Sequence, residues 1–161
     1  MVTMEEEGTN NPGTIRPETL EDHAKLIVEE GRVYLPSEDT GEMKEGKEYV
    51  LRKERNQENP VTIGREEPSS LRLWIQGKKG RKDILLDRKY GYASREHCEI
   101  FYDEDKNAYF LVDYSLNGTL VNGYKVGGNR VRETRRLEHG DLIEIPAVGE
   151  RIKMTFLMYK R

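Results

Sequence analysis

The chain has a single cysteine, Cys98, so no internal disulfide can form, and no cluster of Cys and His shows the spacing of a zinc site. That usage fits a reducing compartment, and neither a metal nor another cofactor is expected. Long apolar runs are missing too. Nothing approaches the roughly 18 residues that span a bilayer, and Met1 is followed by acidic and polar residues rather than a basic start and an apolar stretch. A soluble, intracellular chain with no membrane partner is therefore expected, with cytoplasm and nucleus left open. Also absent are βαβ alternation, a sustained heptad and an internal repeat, which argues against a parallel α/β fold, a coiled coil and a solenoid.

Apolar residues are in modest supply, at 35% against 35% charged, so part of the 161-residue chain is expected to stay in solvent around one domain. The charges are unevenly placed. Residues 1–48 hold 13 acidic and 5 basic side chains, a net of −8, whereas residues 49–161 hold 17 acidic and 22 basic, a net of +5. Residues 1–17, with two prolines, two glycines and almost nothing to bury, read as a disordered acidic tail. The stretch 18–46 reads as an N-terminal extension. Within it, Leu20, Ala24 and Ile27 recur at helical spacing and Gly31 offers a stop, although Leu26 to Val28 can equally enter a strand; the expectation is a short helix followed by a strand.

From Arg32 onward, short apolar or alternating runs are separated by Gly, Asn, Asp and Pro clusters, as in an all-β chain. The runs are RVYL (32–35), EYVLRK (48–53), VTIGR (61–65), DILL (83–86), HCEIFY (97–102), AYFLVD (108–113), TLV (119–121), DLIEI (141–145) and RIKMTFLMY (151–159). Hairpin turns are expected at Asp103 to Asn107, at Asn122-Gly123 and at His139-Gly140-Asp141. Many short strands of this kind favour a sandwich, since two sheets bury each other's apolar faces. The longest interruption, residues 66–82, carries Lys78, Lys79, Arg81 and Lys82, the most basic local segment. Loops beyond about 12 to 15 residues usually mark a function or an insertion.

Four pieces stand out in order: IGR at 63–65, SREH at 94–97, DYSLNGTLVNG at 113–123 and LEHGDLIEI at 137–145. Together they resemble the forkhead-associated (FHA) domain, whose pattern is Gly-Arg, Ser-x-x-His, an Asn-Gly-Thr-x-x-Asn-Gly block and a Gly-Asp turn before a strand. The resemblance covers about residues 47–159. It implies an all-β, two-sheet sandwich of the SMAD/FHA-like type, over 47–161, whose loops at one end bind phosphothreonine in a partner protein.

Residue chemistry points the same way. Phosphothreonine carries about −1.5 to −2 charges and three strong acceptor oxygens, so a site must supply donors. Arg65, after Gly64 at a strand end, can aim a planar guanidinium at the loop end; a solvated surface arginine is the plain alternative. The resemblance makes Ser94 a second phosphate contact, Arg95 a contact to phosphate or peptide backbone, and Asn117 a bond to the peptide backbone. It gives His97 a structural role in the loop scaffold, while Gly118 supplies a backbone conformation closed to other residues and Thr119 begins the next strand. His97 sits beside Cys98, but adjacent strand residues face opposite ways, so no nucleophile and base pair is expected. One position departs from the pattern. Where many family members have Thr before the first Asn-Gly, this chain has Leu116, whose side chain cannot donate.

No paired carboxylates, phosphate-cradling loop or metal spacing points to an enzyme. The expected function is a non-catalytic phosphothreonine-peptide-binding module in signalling, expected as a monomer, with Arg88, Lys89 and the basic loop favouring acidic peptides. The alternative is a phosphorylation-independent structural or dimerisation domain on the same fold. Nucleic acid is disfavoured, because the chain is acidic overall and the basic loop has only Trp74 nearby for stacking. Thr9, Thr14 and Thr19 in the acidic tail, the last followed by Leu20, Glu21 and Asp22, make the chain's own phosphorylated N-terminus a further candidate ligand.

Overall fold

The computed structural model describes residues 23–37, 41–66 and 83–159. The expected disordered tail, the three tail threonines and the basic run Lys78 to Lys82 lie outside the described residues. The elements are β1 (His23–Glu30), β2 (Val33–Pro36), β3 (Met43–Gly46), β4 (Glu48–Arg52), α1 (Lys53–Glu58), β5 (Val61–Arg65), β6 (Ile84–Leu86), β7 (Cys98–Asp103), β8 (Ala108–Asp113), β9 (Thr119–Val121), β10 (Tyr124–Val126), β11 (Glu133–Leu137), β12 (Asp141–Ile145) and β13 (Ile152–Tyr159).

Two sheets pack as a β-sandwich, one in the order β10-β9-β12-β13-β1-β4 and the other β11-β8-β7-β5-β6-β2-β3. Alternation builds each inner face. In β7, Cys98, Ile100 and Tyr102 are buried while Glu99, Phe101 and Asp103 are half-buried, and in β13 Ile152, Met154 and Phe156 turn inward. Phe156 meets Tyr109 of the other sheet edge-on, with ring centroids 5.5 Å apart, and Tyr109 meets Tyr102 in the same way at 5.1 Å.

The expected helix near the N-terminus is instead β1. Ala24, Leu26 and Val28 are buried at a period of two, so Ala24 and Ile27, which helical spacing would align, fall on opposite faces. Pairing to β13 along the strand and to β4 over residues 23–27 satisfies much of its backbone, and that tertiary gain overrides the local pattern. The sandwich accordingly includes residues well before the expected boundary at 47, from His23 on among the described residues, with β2 and β3 completing the other sheet.

Two further local readings change. The turn at His139-Gly140-Asp141 is present but makes no hairpin, since β11 belongs to one sheet and β12 to the other; it carries the chain across the sandwich. The run 48–53 stops at Arg52, and α1 follows, held by buried Asn56, whose Oδ1 accepts the Arg52 N–H at 2.8 Å while Nδ2 donates to the Asn59 carbonyl at 3.1 Å.

The hairpins at 104–107 and 122–123 form as expected, joining β7 to β8 and β9 to β10. β5 and β6 pair in parallel, Ile63 opposite Ile84 and Arg65 opposite Leu86. Parallel neighbours need a crossover of a dozen residues or more, which accounts for the length of chain between them.

Candidate functional site

The strand register brings four loops to one end of the sandwich. Arg65 ends β5, Cys98 opens β7 opposite Asp113 at the end of β8, and Thr119 opens β9 next to the Leu120–Glu144 pair near the end of β12. These chains therefore leave or enter the two sheets at the same end.

Hydrogen bonds lace the loops together. The Arg65 N–H donates to the Ser94 carbonyl at 3.0 Å, and Arg65 Nη1 donates to the Gly91 carbonyl at 3.2 Å. Arg65 Nε is buried and has no hydrogen-bond partner among the described residues. Ser94 Oγ accepts the Leu116 N–H at 3.1 Å, and Asn117 Nδ2 donates to the Tyr92 carbonyl at 2.8 Å. Arg65, Ser94 and Asn117, spread over more than fifty residues of sequence, thus share one rim. Arg95 follows Ser94 on that rim and is exposed. Leu116 is also exposed, at 47%, so its side chain faces solvent while its amide is engaged by Ser94.

Beneath the rim lies His97, fully buried. Its Nδ1 accepts the Ser94 N–H at 3.0 Å, which assigns the ring proton to Nε2, and Nε2 donates to the Gly118 carbonyl at 3.0 Å. One ring thereby ties the serine loop to the Asn-Gly loop. Burial lowers the imidazole pKa, opposed by the Asp113 carboxylate 3.8 Å from Nε2 and by the bond to Gly118.

Asp113 anchors the Asn-Gly loop from below. Its carboxylate accepts the Ser115 N–H at 2.9 Å, the Ser115 hydroxyl at 2.9 Å and the Thr119 hydroxyl at 2.6 Å, and Ser115 Oγ in turn accepts the Gly118 N–H at 2.7 Å. Gly118 adopts φ +86, where a side chain is strained, and its carbonyl also accepts the Ala147 N–H. Every backbone polar group at Gly118 is held, so the loop is set before any ligand arrives.

The Cys98 thiol is not prepared for nucleophilic attack. Cys98 is buried, and burial together with Asp113 pushes its thiol well above the usual range, which disfavours the reactive thiolate. Among the described residues, no group of three or more His, Cys, Asp or Glu is disposed to hold a metal ion, and no helix is long and apolar enough to cross a membrane. Of two concavities of about 460 and 470 Å³, the one beside Gly31 is lined in part by Lys89 and Tyr90 of the loop that carries Ser94, whereas the one beside Asn56 is not lined by the laced loops.

The family model for the FHA domain matches residues 61–146, more than half of the chain. The chain belongs to the FHA family. It is 37% identical over 89 residues to human Angiogenic factor with G patch and FHA domains 1, and 33% identical to the mouse protein of that name. Each match covers 54% of this chain and 11% of the relative, so it concerns one segment of a much longer protein. Among solved structures, the kinase-interacting FHA domain of kinase associated protein phosphatase from Arabidopsis aligns with a TM-score of 0.59 at 24% identity, covering 88% of this chain and 97% of that one. The N-terminal FHA domain of S. cerevisiae Rad53p, solved with a phosphothreonine peptide, aligns at 0.53 and 20% identity, covering 85% and 94%. At these identities the structural likeness speaks for the fold.

This FHA domain also has site neighbours that motif reading passed over. Tyr92, 59% exposed, offers its carbonyl to Asn117, and its ring stands where a Cβ at Gly149 would be. Asp113 and Ser115 carry the loop from within, and Gly127, at φ +73, leaves room for the Asp113 carboxylate. An Asp bonding the amide two residues on is a recognisable turn signature, so Asp113-Tyr114-Ser115 offered a usable signal. Tyr92 and Gly127 offered none, since their roles depend on residues far away in the chain.

Proposed function

We propose that the laced loop end of this FHA domain binds a phosphothreonine peptide of a protein partner, and that the chain acts as a non-catalytic interaction module in intracellular signalling. The observation that carries the reading is Arg65. Its guanidinium sits on a rim shared with Ser94 and Asn117, one N–H on the Gly91 carbonyl and the buried Nε–H without a partner among the described residues. An unsatisfied buried donor costs about 1 to 3 kcal/mol, a cost that a phosphate oxygen would remove, with a charge-assisted bond, once a shift of the Arg65 side chain uncovers Nε. Ser94 Oγ accepts the Leu116 N–H and retains its own hydroxyl hydrogen as a further donor for the phosphate, with Arg95 adding charge at the rim. Asn117 retains Oδ1 and one amide hydrogen for the peptide backbone while Nδ2 holds Tyr92. Gly64, His97, Gly118 and Thr119 position these groups.

The test is anisotropy of a labelled phosphothreonine peptide library against its unphosphorylated counterpart. Phosphorylation-dependent binding that falls at least about tenfold in Arg65→Ala, as expected for loss of a charge-assisted bond, supports the reading. Binding that ignores phosphate and survives Arg65→Ala would instead favour the structural or dimerisation alternative.

The position of β1 constrains the chain's own tail as a ligand. His23 pairs with Tyr159 and Glu30 with Lys153, so the tail joins the sandwich at the end away from Gly118. Eight residues of strand separate the ends by roughly 25 Å. Thr19 lies four residues before His23 and can extend at most about 14 Å from it, so a phosphorylated Thr19 would reach only the pocket of another molecule. Thr9, with about 49 Å of chain, can reach its own.

A further inference from the structure

Several cations elsewhere on this domain are paired with carboxylates. Lys25 meets Glu48 at 2.9 Å, Lys89 meets Glu150 at 3.3 Å, Arg136 meets Glu138 at 3.2 Å, and Arg151 and Lys153 share Glu144. Two cations beside the Asn117–Gly118 loop are placed differently. Lys125 and Arg130 are exposed, and neither has a carboxylate partner among the described residues.

The Lys125 stem and the Arg130 backbone are both held by the loops. A Cβ at Gly118 would stand 2.9 Å from Lys125 Cε, and one at Gly128 would stand 2.9 Å from Cε and 3.2 Å from Nζ. Two glycines thus form the slot in which the lysine stem lies, and they lead its ammonium past Gly118. On the other side, Asn129 and Arg130 adopt φ +55 and +60, a left-handed pair that ordinary residues avoid. The Asn129 N–H donates to the Leu116 carbonyl at 2.6 Å and the Arg130 N–H to the Ser115 carbonyl at 2.8 Å, so the strained turn is fastened to the recognition loop. An unneutralised positive charge is costly to assemble and is relieved by an anion brought alongside.

We propose that Lys125 and Arg130 form a cationic shelf beside the Asn117–Gly118 loop that takes an acidic side chain of the peptide flanking its phosphothreonine. The inference rests on the phosphothreonine reading above and adds to it a substrate class, the acid-flanked phosphothreonine. The shelf is separate from Arg65 and Ser94, so it selects among phosphopeptides rather than detecting phosphate. It also moves charge selection from the basic loop 78–82 to β10 and the turn after it.

The experiment compares three synthetic phosphothreonine peptides: one with alanine on both sides, one with glutamate at the four positions after the phosphothreonine, and one with glutamate at the four positions before it. Each is titrated into the wild-type chain and into a K125Q/R130Q double variant, in which glutamine keeps much of the stem and leaves the turn fastened; melting curves check the fold. The wild type should prefer one glutamate peptide over the alanine peptide by roughly three- to tenfold at low salt, the scale of two exposed ion pairs. That preference should collapse at about 0.5 M salt and vanish in the double variant, while the alanine phosphopeptide keeps its affinity. Equal binding of all three peptides to the wild type, or an unchanged preference in the double variant, overturns the shelf and leaves the phosphothreonine reading standing. Loss of the alanine phosphopeptide by the same factor overturns it too, since the cations would then be phosphate contacts. If no peptide binds the wild type in a phosphate-dependent way, both readings fall.

Discussion

The two Asn-Gly pairs of SLNGTLVNG are identical as dipeptides and opposite in use. At Asn122-Gly123 both residues take positive φ, +53 and +83, the geometry of a two-residue hairpin turn. The Asn122 side chain is bonded inward, its amide to Asp141 at 2.8 Å and its oxygen to the Leu142 N–H at 2.9 Å, and a Cβ at Gly123 would meet nothing. At Asn117-Gly118 the glycine is the buried member, bonded through both N–H and carbonyl, while asparagine keeps part of its amide free at the rim. A turn dipeptide fixes backbone geometry; what surrounds it decides whether its polar groups serve the fold or face a ligand.

Substitutions at matched positions test that contrast. Gly118→Ala combines a left-handed φ with contacts to the Lys125 stem and the Val126 carbonyl 3.3 Å away, and should cost about 3 kcal/mol in urea unfolding. Gly123→Ala carries the φ penalty alone and should cost about 1 kcal/mol. Equal losses would erase the distinction between the two turns. Ser115→Ala leaves the buried Gly118 N–H without an acceptor and should cost about 2 kcal/mol, with phosphopeptide affinity falling as the loop loosens.

The asparagines should separate stability from binding. Asn122→Ala removes two side-chain bonds from the turn and should lower stability by about 1 to 2 kcal/mol while leaving phosphopeptide affinity unchanged. Asn117→Ala should cost under about 1 kcal/mol, since it gives up one rim bond, but should weaken phosphopeptide binding strongly. A variant pair showing the reverse pattern would place the recognition loop at the wrong turn.

Legibility in the sequence followed how local each signal was. Most central strands were readable because alternation and turn residues sit within a few positions of one another, as in HCEIFY and DLIEI. Edge strands β3 and β11 were not, because MKEG and ETRRL lack apolar alternation; their charge is what keeps a sheet edge from pairing with another chain. β1 was misread since its strand character comes from two neighbours at distant points of the chain. At the site, the motif residues announced themselves by type. Tyr92, Gly127 and the two glycines around Lys125 could not, because their meaning is a steric relation across loops.

The smallest expected effect concerns the ring that joins the two loops. His97 is buried and neutral, and burial holds its folded-state pKa below the value of about 6.5 of an unfolded histidine. Between those two values the unfolded chain binds a proton that the folded chain does not, so stability falls as pH falls. The contribution is complete above about pH 6.5 and is lost progressively below it, until the folded-state pKa is passed and the ring protonates in place. Protonation in place would give Nδ1 a hydrogen, so that it could no longer accept the Ser94 N–H, and the serine loop should loosen only once the folded-state pKa is passed. The Asp113 carboxylate nearby opposes the shift and keeps the effect small. Urea unfolding at intervals from pH 7.5 to pH 5 should therefore show a decline that is weaker in His97→Gln, whose neutral side chain has no proton to gain. A profile that is identical in the two proteins would mean that His97 binds its proton equally well in the folded and unfolded chains, and that burial does not hold its pKa down.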